Sequence, residues 1–68
     1  MIDSIEYLDT LDGELRYRAT TVRGESYVVH IKTYYGNDHS LIAQAQDDDV
    51  PQSIADAVEE HVQSTPHI

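Results

Sequence analysis

"RYRATTVRGESYVVHIK", residues 16–32, decides the fold, because polar and apolar side chains alternate on both sides of a short turn. If residues 22–24 form a three-residue hairpin loop with Gly24 in the left-handed conformation, Thr21 lies opposite Glu25. The same register sets three apolar residues of one strand against three of the next: Leu15, Tyr17 and Ala19 against Ile31, Val29 and Tyr27. One face of this hairpin is therefore predicted to be apolar throughout.

The rest of the chain repeats this rhythm of strands and turns. Three glycines, at positions 13, 24 and 36, separate runs rich in Tyr, Val, Ile and Thr. We predict strands at about residues 3–9, 14–21, 25–34 and 40–46 and a helix over about residues 50–63. The predicted fold class is α+β, a four-stranded antiparallel β-meander with one C-terminal α-helix packed on one face. Residues 1–63 form the single predicted domain, and residues 64–68 form a C-terminal tail.

The first and third turns are assigned by requiring the apolar face to continue. A three-residue loop at residues 11–13 pairs Tyr7 with Tyr17 and brings the first strand into that face. A five-residue loop at residues 35–39 leaves Ile42 outside, whereas a one-residue shift or a bulge would bury it. We favour the arrangement with Ile42 outside.

The helix is predicted from "DDDVPQSIADAVEEHVQ", residues 47–63. Asp49 is a candidate N-cap with Gln52 three residues later, and Pro51 falls where its missing N–H is not needed. An apolar stripe recurs at helical spacing: Ile54, Ala55, Val58 and Val62. The aspartate run is more typical of a helix start than of a metal site, because it lacks the spacing of a calcium loop.

Composition limits the function classes. The chain has 13 acidic and 4 basic residues, a formal charge of -9 and no cysteine. The negative charge opposes contact with nucleic acid and anionic lipid, and the lack of cysteine excludes disulfide and zinc-ribbon frameworks. Because neither a signal-peptide pattern nor an apolar run of about 20 residues is present, we expect a cytoplasmic protein that does not contact the membrane.

The acidic composition has a known counterpart. Lys32 is the only lysine, three aspartates run together at residues 47–49, and Ala, Val, Thr and Asp replace larger or basic residues. In these respects the whole chain resembles the small acidic uncharacterised proteins of halophilic archaea. The resemblance implies that molar salt stabilises the fold, because it shortens the Debye length to about 3 Å and screens self-repulsion. It implies no particular activity.

All four cations lie within residues 16–32, which carry a charge of +3 from four cations and Glu25, while the remainder carries -12. The predicted register places these cations on the sheet face away from the apolar one, which we call the outer face. Its predicted cross-strand pairs are Glu6 with Arg18, Arg16 with both Leu8 and His30, and Glu14 with Lys32. The candidate interface residues on it are Leu8, Arg16, Arg18, Val28, His30, Lys32, Tyr34 and Ile42.

Two interpretations of the outer face stay open beside simple solvation, which accounts for charged pairs on an exposed sheet face. Apolar side chains mixed with arginine and tyrosine are typical of interface centres. We expect a small non-enzymatic protein-interaction module that forms a homodimer through the outer face or an edge strand. The alternative is a regulatory adaptor or antitoxin-like partner whose cationic face, residues 16–32, meets an acidic protein or, less readily, nucleic acid.

Catalytic motifs are missing from the sequence. The four histidines fall on a strand, a turn, the helix and the tail, without the spacing of metal ligands. Ser40 adjoins His39 but lies in no nucleophile elbow, and the glycines lack phosphate-loop spacing. We therefore expect neither an enzyme nor a cofactor or metal site. A small hydrolase or metal-dependent activity at His30, His39 or the aspartate run is the least favoured alternative.

Overall fold

The computed structural model describes residues 1–64. Four antiparallel strands follow one another across a single sheet, and a helix packs on one of its faces. The elements are β1 (Ile2–Leu11), β2 (Glu14–Thr21), β3 (Ser26–Tyr35), β4 (Leu41–Ala45) and α1 (Gln52–Ser64). The predicted α+β meander with a C-terminal helix is confirmed. Of the predicted tail, Ser64 is the last residue of α1, and residues 65–68 lie outside the described residues.

The core lies between the apolar sheet face and α1. Val29 and Ile31 of β3 and Val58 and Val62 of α1 are fully buried. Each such side chain contributes about 1.5–3 kcal/mol by leaving water. The predicted helix stripe is the buried one: Ile54, Ala55, Val58 and Val62. The helix makes most of its contacts with β4 and also approaches the other three strands.

The central hairpin has the predicted register. Leu15, Tyr17 and Ala19 pair with Ile31, Val29 and Tyr27. Gly24 has a φ of 87°, and the Thr21 N–H donates to the Glu25 carbonyl at 2.8 Å. Within the loop, the Thr21 hydroxyl accepts hydrogen bonds from the backbone N–H groups of Arg23 and Glu25. The three-residue loop is therefore confirmed.

The first turn differs from the prediction. Leu11 pairs with Glu14, so only Asp12 and Gly13 form the loop, both with positive φ, at 54° and 82°. An Asp-Gly pair of this kind is a preferred two-residue hairpin turn. The loop is one residue shorter than predicted, and a β-bulge between Tyr7 and Asp9 adds one unpaired residue to β1. The two differences compensate, so Tyr7 pairs with Tyr17 as predicted.

The third turn also differs. Tyr35 pairs with Leu41, and the Gly36 N–H donates to the Ser40 carbonyl at 2.9 Å, so the loop is residues 37–39 rather than 35–39. This pairing is displaced by two residues from the predicted one. Because side chains alternate with a period of two, the faces are unchanged. Ile42 is on the outer face as predicted, opposite Tyr34.

The helix begins without the predicted cap. The Pro51 carbonyl accepts hydrogen bonds from the N–H groups of Ile54 and Ala55, both at 3.0 Å, so Pro51 occupies the N-cap position. The prediction that Asp49 caps the helix is wrong. Asp47, at the start of the aspartate run, instead bonds to His30 of β3.

Candidate functional site

The outer face is the sheet face that α1 leaves uncovered. Strand pairing aligns Glu6, Arg18 and Val28 in one row across β1, β2 and β3. The next rows hold Asp9, Arg16 and His30, and then Leu11, Glu14 and Lys32. Tyr34 and Ile42 form a row at the end of β3 and β4. The predicted interface residues from β2, β3 and β4 therefore share one surface, and Leu8 adjoins it as the extra residue of the β1 bulge.

Arg16 has a partner that the sequence prediction missed. Its Nε donates to Asp9 Oδ1 at 2.5 Å, and its Nη2 donates to Asp9 Oδ2. The hydrogen bond from Arg16 holds the pKa of Asp9 below its usual value, and the same bond raises the pKa of the Arg16 guanidinium. The prediction placed Leu8 alone opposite Arg16, but in a bulge two residues oppose one, and the second of these is Asp9. The two-residue Asp-Gly turn was the sequence signal that could have revealed it.

Arg18 and Lys32 are held more loosely. Arg18 Nη1 lies 3.5 Å from Glu6 Oε1, and about half or more of each side chain is exposed. Exposed pairs of this kind contribute about 0–1 kcal/mol. Lys32 lies opposite Glu14 as predicted, but within residues 1–64 it forms no ion pair. The cationic side chains of the outer face are thus bound to its own carboxylates to different degrees.

His30 is held by the segment that follows β4. Asp47 Oδ2 accepts the His30 backbone N–H at 2.6 Å, and Asp47 Oδ1 lies 2.9 Å from the ring Nδ1. Only 16% of the Asp47 side chain is exposed, against 37% of the His30 side chain. The imidazole is therefore oriented by Asp47 and keeps one edge toward solvent.

The outer face is almost neutral, although the chain is strongly acidic. Its three cations, from Arg16, Arg18 and Lys32, balance the carboxylates of Glu6, Asp9 and Glu14. Asp47 adds a fourth carboxylate beside His30, so the face carries three positive and four negative charges when histidine is counted as uncharged, as it is in the formal charge of the chain. This sum of -1 compares with -9 for the whole chain. Most of the negative charge therefore lies elsewhere on the molecule.

Apolar side chains lie among these charged groups on the outer face. Val28 is 41% exposed, Tyr34 45% and Leu11 56%, while Leu8 and Ile42 are half-buried. Leu11 was missed by the sequence analysis, which assigned it to the first loop. The outer face consequently combines apolar side chains with internally paired charges.

The two edges of the sheet are protected differently. On the β4 edge, the N–H of Ala43 donates to Gln63 Oε1 at 2.9 Å and the N–H of Ala45 donates to Glu59 Oε2 at 2.7 Å. On the β1 edge, register shifts occur between Ile2 and Ser4 and again between Tyr7 and Asp9. Side-chain caps and bulges are both known means of keeping an edge strand from pairing with another chain.

Other surfaces offer little chemistry. An open hollow of about 270 Å³ is lined by Leu15, Thr33, Tyr35 and Leu41. Within residues 1–64, no group of three or more His, Asp or Glu side chains is placed to hold a metal ion.

The ring of His61 packs edge-on against the buried Tyr17, with centroids 5.9 Å apart. Burial, with a smaller contribution from Tyr7, raises the pKa of Tyr17.

None of the helical structure described for residues 1–64 has the length and apolar character that crossing a bilayer requires. Comparisons of the chain with protein-family models, curated proteins and solved structures gave no match. Any functional conclusion therefore depends on the physical character of the surfaces described above.

Proposed function

We propose that this protein is a small non-enzymatic interaction module that associates with a second copy of itself through the outer face. The observation that carries the proposal is the contrast between this face and the rest of the molecule. The outer face is not covered by α1, and Val28, Tyr34 and Leu11 are exposed on it. It is also close to neutral in a chain of charge -9. Two copies that meet there bring together the surfaces that repel each other least.

The size of the face suits a dimer. Four strands about 4.8 Å apart and about eight residues long span a footprint of roughly 500 Å². Two such footprints give roughly 1,000 Å², which is near the lower limit for a specific interface. A 68-residue chain also gains from burying more apolar surface, since small domains bury a low fraction of theirs.

The face is a better contact than either edge strand. The outward N–H groups of Ala43 and Ala45 on β4 are already bonded to α1. The two bulges of β1 interrupt a flat pairing surface, and β1 carries Asp3, Glu6 and Asp9 without any cation. Pairing β1 with itself would bring these acidic side chains near each other, and like charges directly opposite are destabilising.

The adaptor alternative receives less support. An acidic partner would have to compete with Asp9 for Arg16, which is bound through two nitrogen atoms. Glu6 similarly lies beside Arg18. Lys32 and Arg23 are the two of the four cations that form no ion pair within residues 1–64, and they lie on different parts of the hairpin. A concentrated cationic surface is therefore lacking.

The test is the molar mass by size exclusion with light scattering, in about 0.1 M and about 3 M KCl, because salt screens the self-repulsion. We expect a dimer in high salt. The variant Tyr34→Lys should be monomeric there, since Tyr34 lies on the outer face. The matched control is Tyr35→Lys, which changes the neighbouring tyrosine on the opposite face and should stay dimeric. A folded monomer of the unmodified chain in high salt contradicts the proposal.

A further inference from the structure

We infer that β4 is a latent pairing edge for the β4 strand of a second copy, and that Glu59 and Gln63 of α1 keep it closed. This contact is separate from the proposed outer-face dimer. It concerns the backbone edge of the sheet, and it forms only when the two helix side chains are withdrawn.

The direction of the backbone groups in β4 follows from its pairing with β3. The Gly36 N–H donates to the Ser40 carbonyl, and the Gln46 N–H donates to the His30 carbonyl. Even-numbered residues of β4 therefore bond to β3, and the odd-numbered residues Leu41, Ala43 and Ala45 point their backbone groups away from the sheet. Two of these three outward N–H groups are the ones that α1 binds.

The spacing of the helix acceptors fits the spacing of the strand donors. Glu59 and Gln63 are four residues apart, a rise of about 6.0 Å along a helix. Ala43 and Ala45 are two residues apart, a distance of about 6.6 Å along a strand. The helix runs antiparallel to β4, so Glu59 reaches Ala45 and Gln63 reaches Ala43. One helix face thus covers two successive open donors.

Without these acceptors, its short length of five residues is the main protection that β4 keeps. Its sequence, LIAQA, contains no charged residue and no proline, and its pairing with β3 has no bulge. The other three strands all contain charged side chains. Two β4 strands can therefore pair antiparallel about Ala43, with Leu41 opposite Ala45, without opposing like charges. A second copy of β4 is the occupant that this edge fits.

The experiment removes both acceptors in the Tyr34→Lys background, so that outer-face association does not contribute to the result. The double change Glu59→Ala with Gln63→Ala should roughly double the molar mass measured by light scattering. Two controls use the same background. Glu59→Gln with Gln63→Glu keeps an acceptor at both positions and the same net charge, and Glu60→Ala with Gln52→Ala removes the same residue types from the exposed side of α1. Both controls should keep the mass of the background protein.

A proline at Ala45 supplies the second check. Ala45→Pro is added to the Glu59→Ala and Gln63→Ala changes. It removes an outward N–H that β3 does not use, so the molar mass should return to that of the background protein. An unchanged mass after the double alanine change in folded protein overturns the inference. If that variant does not fold, Glu59→Ser with Gln63→Ser, which also leaves both side chains too short to reach β4, is measured in the same way, and an unchanged mass there overturns it equally. Because Tyr34→Lys alone tests the outer face, the two proposals fail separately.

Discussion

Asp47 holds His30 at two points, by accepting its backbone N–H at 2.6 Å and by lying 2.9 Å from its ring Nδ1. The neighbouring Gln46 N–H donates to the His30 carbonyl at 2.9 Å. Pairing between the third strand and the chain after β4 thus continues beyond the last strand residue, Ala45. The start of the segment that leads to α1 is therefore bound to β3.

Replacement of Asp47 by alanine should lower the free energy of unfolding by about 1–3 kcal/mol, because the His30 N–H loses its acceptor. Asp47→Asn keeps an acceptor oxygen and should lower it less. Asp48→Ala is the control, since Asp48 is exposed and lies next in the chain. Urea unfolding of the three variants measures the difference. Equal effects of Asp47→Ala and Asp48→Ala would show that the contact with His30 does not stabilise the fold.

Replacement of Arg16 by glutamine should raise the pKa of Asp9 toward its ordinary value of 3.8, because the hydrogen bond from Arg16 is the main cause of its lowering. A carboxyl group whose pKa is lowered by folding stabilises the protein above its unfolded pKa. That contribution is lost as the pH falls through the folded pKa. In Arg16→Gln, stability should therefore depend less on pH in the acid range.

The pKa of Asp9 can be read from a carboxyl-carbon NMR titration. Arg18→Gln is the matched control, since Arg18 pairs with Glu6 and should leave the pKa of Asp9 unchanged. An unchanged pKa of Asp9 in Arg16→Gln would mean that the paired geometry does not persist in solution.

Replacement of His39 by glycine should raise the free energy of unfolding by up to about 1 kcal/mol. His39 has a φ of 65°, a conformation that costs a residue with a Cβ atom roughly 1–2 kcal/mol. Part of the gain is offset because glycine has more freedom in the unfolded chain. Asn37→Gly, in the same loop but without positive φ, should lower stability instead. Thermal unfolding distinguishes the two signs.

Replacement of Val58 by alanine should lower the free energy of unfolding by about 2 kcal/mol, because a buried side chain is shortened and a cavity remains. Val58 is 0% exposed in the middle of α1. The same change at Val22, which is 61% exposed in a turn, should alter stability by no more than about 0.5 kcal/mol. Similar losses at both positions would contradict the assigned core.

Much of the fold could be predicted because its signals are local. Gly24 marks a turn that allows one register, and the alternation on either side then decides which face is apolar. The position of Ile42 was predicted correctly although its loop was not, because a shift of two residues leaves the faces of a strand unchanged. The apolar stripe of α1 was equally evident from its spacing.

The sequence by itself determined the order of the strands, the two faces of the sheet and the buried side of the helix, because each follows from short-range periodicity and turn chemistry. Only the tertiary structure decided three further contacts between charged and polar groups. Asp9 reaches Arg16 through a bulge, Asp47 reaches His30 across 17 residues, and Glu59 reaches the edge of β4. The first contact needs a bulge, which side-chain alternation alone does not indicate. The other two join segments that are remote in the chain, and side-chain alternation carries no information about the distances between such segments.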